Sequence, residues 1–256
     1  MSLPNHDFDA TMLGETAHRP WPLPARPWIM TQTWHDLLFA HWRVDQDQLA
    51  SLMPMGLELD LYDGAAWVGI VPFYMTNVAP RGVPSLPWVS AFAELNVRTY
   101  VRVGGKPGVF FFSLDAANPL AVAAARALFS LPYYSATMEV RQTAEGVAYR
   151  SSRTTAGTAP AEFEATYAPA GGVFRAREGT REYFLTERYC LYTVASDGKR
   201  RRVDIHHRPW PLQEANGHLA VNTMAAAAGI RLPAAPPLLH FAKRQDVVAW
   251  ATAPAG

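Results

Sequence analysis

Short runs of β-forming residues, each followed by a turn signal and a second such run, recur along the chain. Four of these hairpin patterns follow one another: 56–62 with 65–75, 95–103 with 109–114, 135–142 with 147–155, and 188–195 with 200–207. The turns between them, DG, GGKPG, AEG and SDGK, all contain glycine, and strands joined by short turns pair antiparallel. The pattern therefore predicts an α+β protein that is mainly antiparallel β, with a few short helices.

Two short segments outside these hairpins carry helix signals. Residues 45–54 follow a further predicted strand at 36–44; they begin with Asp45, a good N-cap, and end at Pro54, which stops a helix. Residues 180–187, TREYFLTE, form the second candidate. Both segments are short, so we expect each to make only one or two turns between strands.

A longer helix is predicted over residues 118–132. Asn118 can cap its N-terminus, and Pro119 suits the first helical position because the missing N–H would have no partner there. Apolar residues then recur at three- and four-residue steps: Leu120, Ala124, Leu128 and Leu131. This spacing predicts that these four side chains form one buried stripe.

The length of 256 residues, with 49% hydrophobic and 18% charged side chains, favours a single globular domain over a disordered chain. Residues 1–27 differ from the rest because they contain five prolines and end in RPWPLPARP, which Trp28 follows. Proline at this density favours an extended arm. We therefore predict a Pro/Trp-rich N-terminal arm at 1–27, held to the body by its tryptophans, and one domain at 28–256.

The charges of the chain nearly cancel, with 23 Lys and Arg against 22 Asp and Glu. No general field attracts nucleic acid or an anionic membrane, so a small-molecule ligand is the expected partner. Cys190 is the only cysteine, which excludes an internal disulfide. The N-terminus lacks the features of a secretory signal, and no apolar stretch is long enough to span a bilayer, so we expect a cytoplasmic protein.

One predicted strand has a strongly polar face. With side chains alternating along residues 92–103, one face carries Glu94, Asn96, Arg98, Tyr100 and Arg102. Such a face ordinarily meets water in an antiparallel sheet. It could instead line a cavity, where Glu94 and Arg98 would hold each other and a ligand. The sequence leaves both interpretations open.

A second pair of charges, Glu187 and Arg188, stands immediately before the run YCLYT. Adjacent residues of a strand face opposite ways, so the two should not pair with each other. Each either meets some other charge or contributes to a binding site. Cys190 has no activating histidine beside it and is predicted to be a small buried apolar residue.

No metal or cofactor is predicted. His206 and His207 are adjacent on a predicted strand and would project to opposite sides, which makes a shared metal ion improbable. The chain contains no phosphate-binding glycine loop, dinucleotide fingerprint, nucleophile elbow or zinc-protease motif.

Several strings, taken in order, resemble an uncharacterised bacterial family, domain of unknown function 2071. They are LLFAHWRV, GLELDLYDGAAWVGIVPF, ELNVRTYV, FFSLDAANPLAVAAAR, LTERYCLYT, IHHRPWPLQ and PPLLHFA. The resemblance runs from about residue 20 to about residue 250. That family resembles acetoacetate decarboxylase in turn, which implies a cone-like, mainly antiparallel barrel around a small pocket.

The local comparison with acetoacetate decarboxylases concerns their catalytic lysine. Those enzymes carry a pocket glutamate, a hairpin, an aspartate, a helix with an arginine and a Pro-Lys-Lys turn, whose first lysine forms a Schiff base. The corresponding order here is Glu94, the hairpin at Gly104 and Gly105, Asp115, Arg126, and Pro132 followed by Tyr133 and Tyr134. A phenol cannot form an imine, so the resemblance implies that Schiff-base decarboxylation is excluded at this site. From its position alone, Asp115 is expected to support the N-terminus of the following helix.

The leading functional hypothesis is an enclosed pocket for a small carbonyl- or carboxylate-bearing molecule, without covalent capture. Tyr133, Tyr134 and Glu94 are the candidate catalytic residues; Arg98, Tyr100, Glu187 and Arg188 are the candidate ligand-binding residues. One alternative is a lyase, hydratase or isomerase that uses non-covalent acid/base catalysis. Another is a structural or interaction protein, a possible homo-oligomer, whose arm docks on a second subunit. Aromatic packing of the two tyrosines also stays open.

Overall fold

The computed structural model describes residues 8–85 and 90–255. Its strands are β1 Met30–Val44, β2 Glu58–Leu59, β3 Ala66–Pro80, β4 Phe92–Val103, β5 Lys106–Ala116, β6 Tyr133–Thr143, β7 Gly146–Arg153, β8 Glu162–Phe174, β9 Cys190–Val194, β10 Arg200–His206, β11 Leu212–Asn222, β12 Leu238–Ala249 and β13 Ala253–Pro254. Its helices are α1 Gln46–Leu52, α2 Pro119–Phe129, α3 Arg181–Thr186 and α4 Met224–Ala227, with a 3₁₀ helix at Ala10–Gly14. Among the described residues, no helix is both long enough and apolar enough to cross a membrane.

All thirteen strands belong to one sheet, in the order β13-β10-β9-β5-β6-β7-β8-β11-β12-β1-β3-β4-β2. The ladders are antiparallel except where β5 meets β6 and β9. Additional ladders between β4 and β5 and between β10 and β12 connect distant parts of this order, so the sheet returns on itself. The predicted fold class, mainly antiparallel β with a few short helices, is confirmed.

Strand β4 is paired with β3 on one side and with β5 on the other. Every residue of β4 except Arg102 is buried. Its alternate side chains therefore contact protein on both faces, and within its polar face Arg102 alone is exposed to bulk water. Of the two interpretations left open by the sequence, the enclosed one describes the polar face of this strand.

The local signals for turns and caps are borne out in the structure. The side chain of Asp45 accepts a hydrogen bond from the N–H of Gln48 at the start of α1. Asn118 accepts from two backbone N–H groups at the start of α2, and Pro119 is the first helical residue. Asp63, like the glycine after it, has a positive φ, as the tight DG turn requires.

The predicted buried stripe of α2 is wrong at Leu120, which is 68% exposed, and right at Leu131, which is buried. The side chains of Ala124 and Leu128 lie outside what the structure describes. Val122 and Phe129, which were not in the predicted stripe, are buried. The helix is apolar almost all round, so a three- and four-residue spacing could be found on more than one face, and the spacing alone did not identify the face that packs against the sheet.

The described part of the N-terminal arm folds back on its own chain. It contains the 3₁₀ helix, which was not predicted, and Met12 of this helix packs with Val248 and Trp250. The guanidinium of Arg19 donates a hydrogen bond of 2.9 Å to the carbonyl oxygen of Ile205. Contacts with β10 and β12 therefore hold the arm in place.

Candidate functional site

A cavity of about 190 Å³ lies against the polar face of β4. Most of its lining is apolar and aromatic, contributed by β1, β3, β5, α2 and the segment between α3 and β11. Its polar lining includes three side chains of β4, Glu94, Asn96 and Arg98, together with Tyr133 and Arg188. The predicted meeting of an acid, a guanidinium and a phenol in one enclosed space is thus present in the structure.

Glu94 and Tyr133 are joined directly. The Tyr133 hydroxyl donates a hydrogen bond of 2.7 Å to Oε2 of Glu94. Strand β5 brings them together because it pairs with β4 on one side and with the first residues of β6 on the other. The two side chains then project into the same space from strands that flank β5.

Burial dominates the protonation of this pair. It raises the pKa of Glu94 from 4.5 to about 7, with a smaller contribution from the negative charge of Asp115, while hydrogen bonds from Tyr133 and Asn96 act in the opposite direction. Burial and the neighbouring Glu94 raise the pKa of Tyr133 well above its ordinary value. Near neutral pH, therefore, Glu94 can exchange a proton whereas Tyr133 stays a neutral donor.

Arg98 is a buried cation that has no carboxylate partner among the described residues. Its Nη2 donates a hydrogen bond of 3.1 Å to the carbonyl oxygen of Leu185, and its guanidinium lies near the rings of Phe39 and Tyr100, at 5.3 and 5.8 Å from the centroids. Its Nε is buried and makes no hydrogen bond to any residue in the described ranges. Within 8–85 and 90–255, no acidic side chain forms an ion pair with it. Such a charge is unfavourable unless an anion comes close.

Tyr100 supports Arg98 from outside the cavity lining. Its hydroxyl donates a hydrogen bond of 2.8 Å to the same Leu185 carbonyl and lies 2.6 Å from Nε2 of His41. Because the one phenolic proton goes to the carbonyl, Nε2 of His41 is assigned as the donor in the second bond. Burial, followed by the positive charge of Arg98, holds the pKa of His41 well below its ordinary value, so the imidazole is neutral.

Arg188 also lines the cavity, and its charge is balanced by Asp60. Nη1 of Arg188 lies 2.6 Å from Oδ2 of Asp60, and Nε donates to the carbonyl oxygen of Phe184. The other carboxylate oxygen of Asp60 accepts a hydrogen bond of 2.9 Å from Arg102. Two guanidinium groups thus share one carboxylate, and of the two only Arg188 lines the cavity.

Glu187 does not lie with the other predicted ligand-binding residues. It is buried, accepts a hydrogen bond from the Tyr189 hydroxyl and accepts another of 2.8 Å from the backbone N–H of Trp210. It is not among the residues that line the cavity. As expected, it makes no pair with Arg188, but its carboxylate is used to connect two segments of the chain.

Tyr134 faces away from the cavity, opposite to Tyr133, because the two are consecutive residues of β6. The guanidinium of Arg153 lies 4.0 Å from the centroid of the Tyr134 ring, and that of Arg126 lies 5.9 Å away. The structure therefore separates the two tyrosines that were predicted to act together: only Tyr133 lines the cavity.

The expectation that Asp115 supports the start of α2 is wrong. Both carboxylate oxygens of Asp115 accept hydrogen bonds from Arg153, at 2.7 and 2.8 Å, and both side chains are buried. The pair connects β5 to the end of β7. Capping of the helix is carried out by Asn118 instead.

The lysines and the cysteine lie elsewhere. None of Lys106, Lys199 and Lys243 lines the cavity; Lys106 lies over the ring of Trp21, and Lys243 pairs with Asp36 at 2.6 Å. Cys190 is buried, and burial raises the pKa of its thiol to about 11, which favours the predicted packing role over a nucleophile. Within the described ranges no group of three or more metal-ligating side chains is found.

Several lining residues have no counterpart in the sequence-based prediction. Trp34, Thr186, His207 and Trp210 reach the cavity from segments far apart in the chain. No local pattern marks them, because their common environment arises only when β1 and the segment before β11 come together. For Asn96, the alternation along β4 was a sufficient signal, yet it was given no role in the site.

The family profile of DUF2071, described as an uncharacterized conserved protein, matches residues 31–246. The chain belongs to this family. Among its relatives, the uncharacterized protein YqjF of Bacillus subtilis (strain 168) is 48% identical to this DUF2071 chain over 228 residues, covering 89% of this chain and 93% of YqjF. The family membership expected from the sequence is confirmed.

Solved structures similar to this DUF2071 chain are acetoacetate decarboxylase-like. The enduracididine biosynthesis enzyme MppR, complexed with the condensation product of pyruvate and imidazole 4-carboxaldehyde, superposes with a TM-score of 0.62 at 12% identity, covering 90% of this chain and 91% of MppR. Acetoacetate decarboxylase from Legionella pneumophila superposes with a TM-score of 0.59 at 13% identity, covering 100% and 98%. Identities this low show a shared fold and nothing more.

Proposed function

We propose that this protein binds a small organic acid, with or without an adjacent carbonyl group, inside a cone-like barrel and without forming a covalent bond to it. Arg98 holds the carboxylate, and Glu94 with Tyr133 contacts the neighbouring carbon or oxygen atoms. The observation that carries the proposal is the buried guanidinium of Arg98, which lines the cavity and has no carboxylate partner among the described residues.

The charges around the cavity support an anionic ligand. Arg98 is unpaired within the described ranges, and Arg188 shares the single carboxylate of Asp60 with Arg102. Glu94, the acidic side chain of the lining, is about half protonated at pH 7 and largely protonated at lower pH because its pKa is raised to about 7. A carboxylate placed beside Arg98 would therefore gain a strong charge-assisted hydrogen bond and meet little opposing negative charge.

The lack of a lysine in the lining supports non-covalent binding. A Schiff base needs a primary amine, and the phenol of Tyr133 cannot replace one. The likeness to MppR complexed with a pyruvate condensation product suggests short 2-oxo acids as first probes. Because that likeness concerns only the fold, the choice of probe does not depend on a common mechanism.

Thermal unfolding with added ligand tests the proposal. 2-Oxobutanoate is compared with its methyl ester for wild type, Arg98→Met and Arg150→Met, the last removing a charge from an exposed pair with Glu164. A ligand that binds the folded state raises the melting temperature by mass action. We expect the acid to raise it in wild type and in Arg150→Met, but not in Arg98→Met, and the ester to have no effect in any of them. An equal shift in Arg98→Met would refute the role of Arg98.

A second candidate function is acid/base catalysis on the bound acid, favoured by the 2.7 Å hydrogen bond between Tyr133 and Glu94 and by the pKa of Glu94 near 7. A base with a pKa close to the working pH transfers protons well. Ionised Glu94 would take a proton from the carbon next to the carbonyl group, leaving an enolate, and the same carbon would then receive a proton from solvent. This is the first step of many isomerase and lyase reactions.

Proton exchange measures this step directly. Loss of the C3 proton signal of 2-oxobutanoate in D₂O, followed by NMR, should be faster with wild type than without protein. Glu94→Gln should slow it by about 10²-fold or more, whereas Tyr134→Phe, outside the cavity, should not. Binding without exchange in wild type would support a binding protein and remove the catalytic alternative.

A further inference from the structure

We infer that the acid bound in this cavity carries an aromatic or branched apolar body, as in an aryl-substituted 2-oxo acid, and that Ala121 and Ala125 of α2 make room for it. The inference rests on the proposed function, since it assumes a carboxylate at Arg98. It adds a substrate class, which follows from the size and the walls of the cavity.

The volume of the cavity exceeds the needs of a short acid. An apolar protein cavity of roughly 150 Å³ holds one benzene molecule, and this one measures about 190 Å³. A six-membered ring with a short extension that ends in a carboxylate matches this size. A three- or four-carbon acid would leave much of the apolar wall without contact, and such contacts contribute most of the affinity in pockets of this kind.

Six Phe and Trp rings contribute to the walls of the cavity, beside aliphatic side chains. The rings belong to Trp34, Phe73, Phe92, Phe111, Phe129 and Trp210. Trp34 packs against Phe73 with ring centroids 5.6 Å apart and stacks on Trp210 at 5.9 Å. Faces and edges of rings are favourable surroundings for another ring or for branched methyl groups.

Helix α2 presents small side chains to this space. Ala121 and Ala125 both line the cavity, and they are four residues apart, so they lie on one face of the helix. Phe129, one turn further along the same face, also reaches the lining. Larger side chains at the two alanine positions would fill the space that the aromatic body of the ligand requires.

The test is a calorimetric titration of three acids into the full-length chain: pyruvate, 4-methyl-2-oxopentanoate and phenylpyruvate. Burying the extra apolar surface should make phenylpyruvate bind roughly 30- to 100-fold more tightly than pyruvate, with the branched acid between them. Ala125→Leu should remove this preference. Ala127→Leu, at an exposed position of the same helix, is the matched control and should keep it.

The outcomes separate the two proposals. If pyruvate binds as tightly as phenylpyruvate, or if Ala125→Leu keeps the preference, the inference fails while the proposed function stands. If none of the three acids binds, both fail. Should Ala125→Leu not fold, Ala121→Val makes the same test with a smaller change, and the order of the three affinities in wild type decides in any case.

Discussion

Burial makes the ionised form of Glu94 unfavourable in the folded protein. The folded protein holds its pKa at about 7, against 4.5 for an unburied glutamate, mainly because the side chain is buried. An acid whose pKa is raised by folding makes the folded state less stable wherever the unfolded chain would ionise. Its presence in a largely apolar cavity is not explained by stability, and its position beside Tyr133 and Arg98 suits a role in binding or proton transfer.

We predict that Glu94→Gln stabilises the protein at high pH. Below pH 4.5 the wild-type side chain is protonated in both the folded and the unfolded state, so the substitution brings no gain in the free energy of unfolding. Between 4.5 and 7 the unfolded chain loses this proton while the folded one keeps it, and wild type loses stability. Above pH 7 the difference should level off at about 3 kcal/mol at most. Urea unfolding at pH 4, 6 and 8 measures it; a gain that is the same at all three values would contradict the explanation.

Tyr133→Phe should raise the pKa of Glu94 above its wild-type value. The Tyr133 hydroxyl donates to the Glu94 carboxylate and so stabilises its ionised form. Without this bond, burial and the charge of Asp115 act with less opposition. The carboxyl carbon of Glu94, followed by NMR during a pH titration, reports the midpoint. Tyr134→Phe is the control and should leave it unchanged; an unmoved midpoint in Tyr133→Phe would count against the hydrogen bond.

Helix caps and turns, which depend on interactions between residues close in sequence, were predicted well. The caps Asp45 and Asn118 and the DG turn depend on side-chain to backbone bonds over two or three residues. Strands β8 and β11 were not predicted. The dipeptide Asn216-Gly217 in β11 is typical of a tight turn, yet both residues pair with β8, which is far away in the sequence. Long-range pairing of this kind determines whether a segment that contains turn residues forms a strand, and a local sequence pattern does not predict it.

Helix α2 allows a direct test of the corrected buried face. Val122 is 4% exposed, so Val122→Ala should lower the free energy of unfolding by about 1 to 3 kcal/mol through lost contacts and a small cavity. Leu120 is 68% exposed, and Leu120→Ala should stay within about 0.5 kcal/mol of wild type. Urea unfolding of both variants compares them. A larger loss of stability in Leu120→Ala than in Val122→Ala would instead support the predicted buried stripe that begins at Leu120.

The composition of the cavity site could be predicted from the sequence only in part. The alternation along β4 correctly put Glu94, Asn96 and Arg98 on one face, but which side of the sheet is enclosed depends on packing between distant strands. Tyr134 was grouped with the site because the resemblance matches both tyrosines to the Pro-Lys-Lys turn, and Glu187 because a charge before a β-forming run could contribute to a binding site. Alternation along an extended segment places consecutive residues on opposite faces, so only one residue of each adjacent pair lines the cavity.

Docking of the N-terminal arm is expected to stabilise the domain that we propose at 28–256. Met12 is fully buried against Val248 and Trp250, and Arg208 forms ion pairs with Asp9 at 2.6 Å and with Glu15 at 2.7 Å.

Because exposed ion pairs contribute little and a buried methionine contributes much, we expect Met12→Ala to lower the free energy of unfolding by about 2 to 5 kcal/mol. Met55→Ala is the matched control, since that side chain is 95% exposed, and it should change stability by less than about 0.5 kcal/mol. The loss should not depend on protein concentration, because the contact lies within one chain; a loss that disappears on dilution would instead indicate an arm exchanged between two copies.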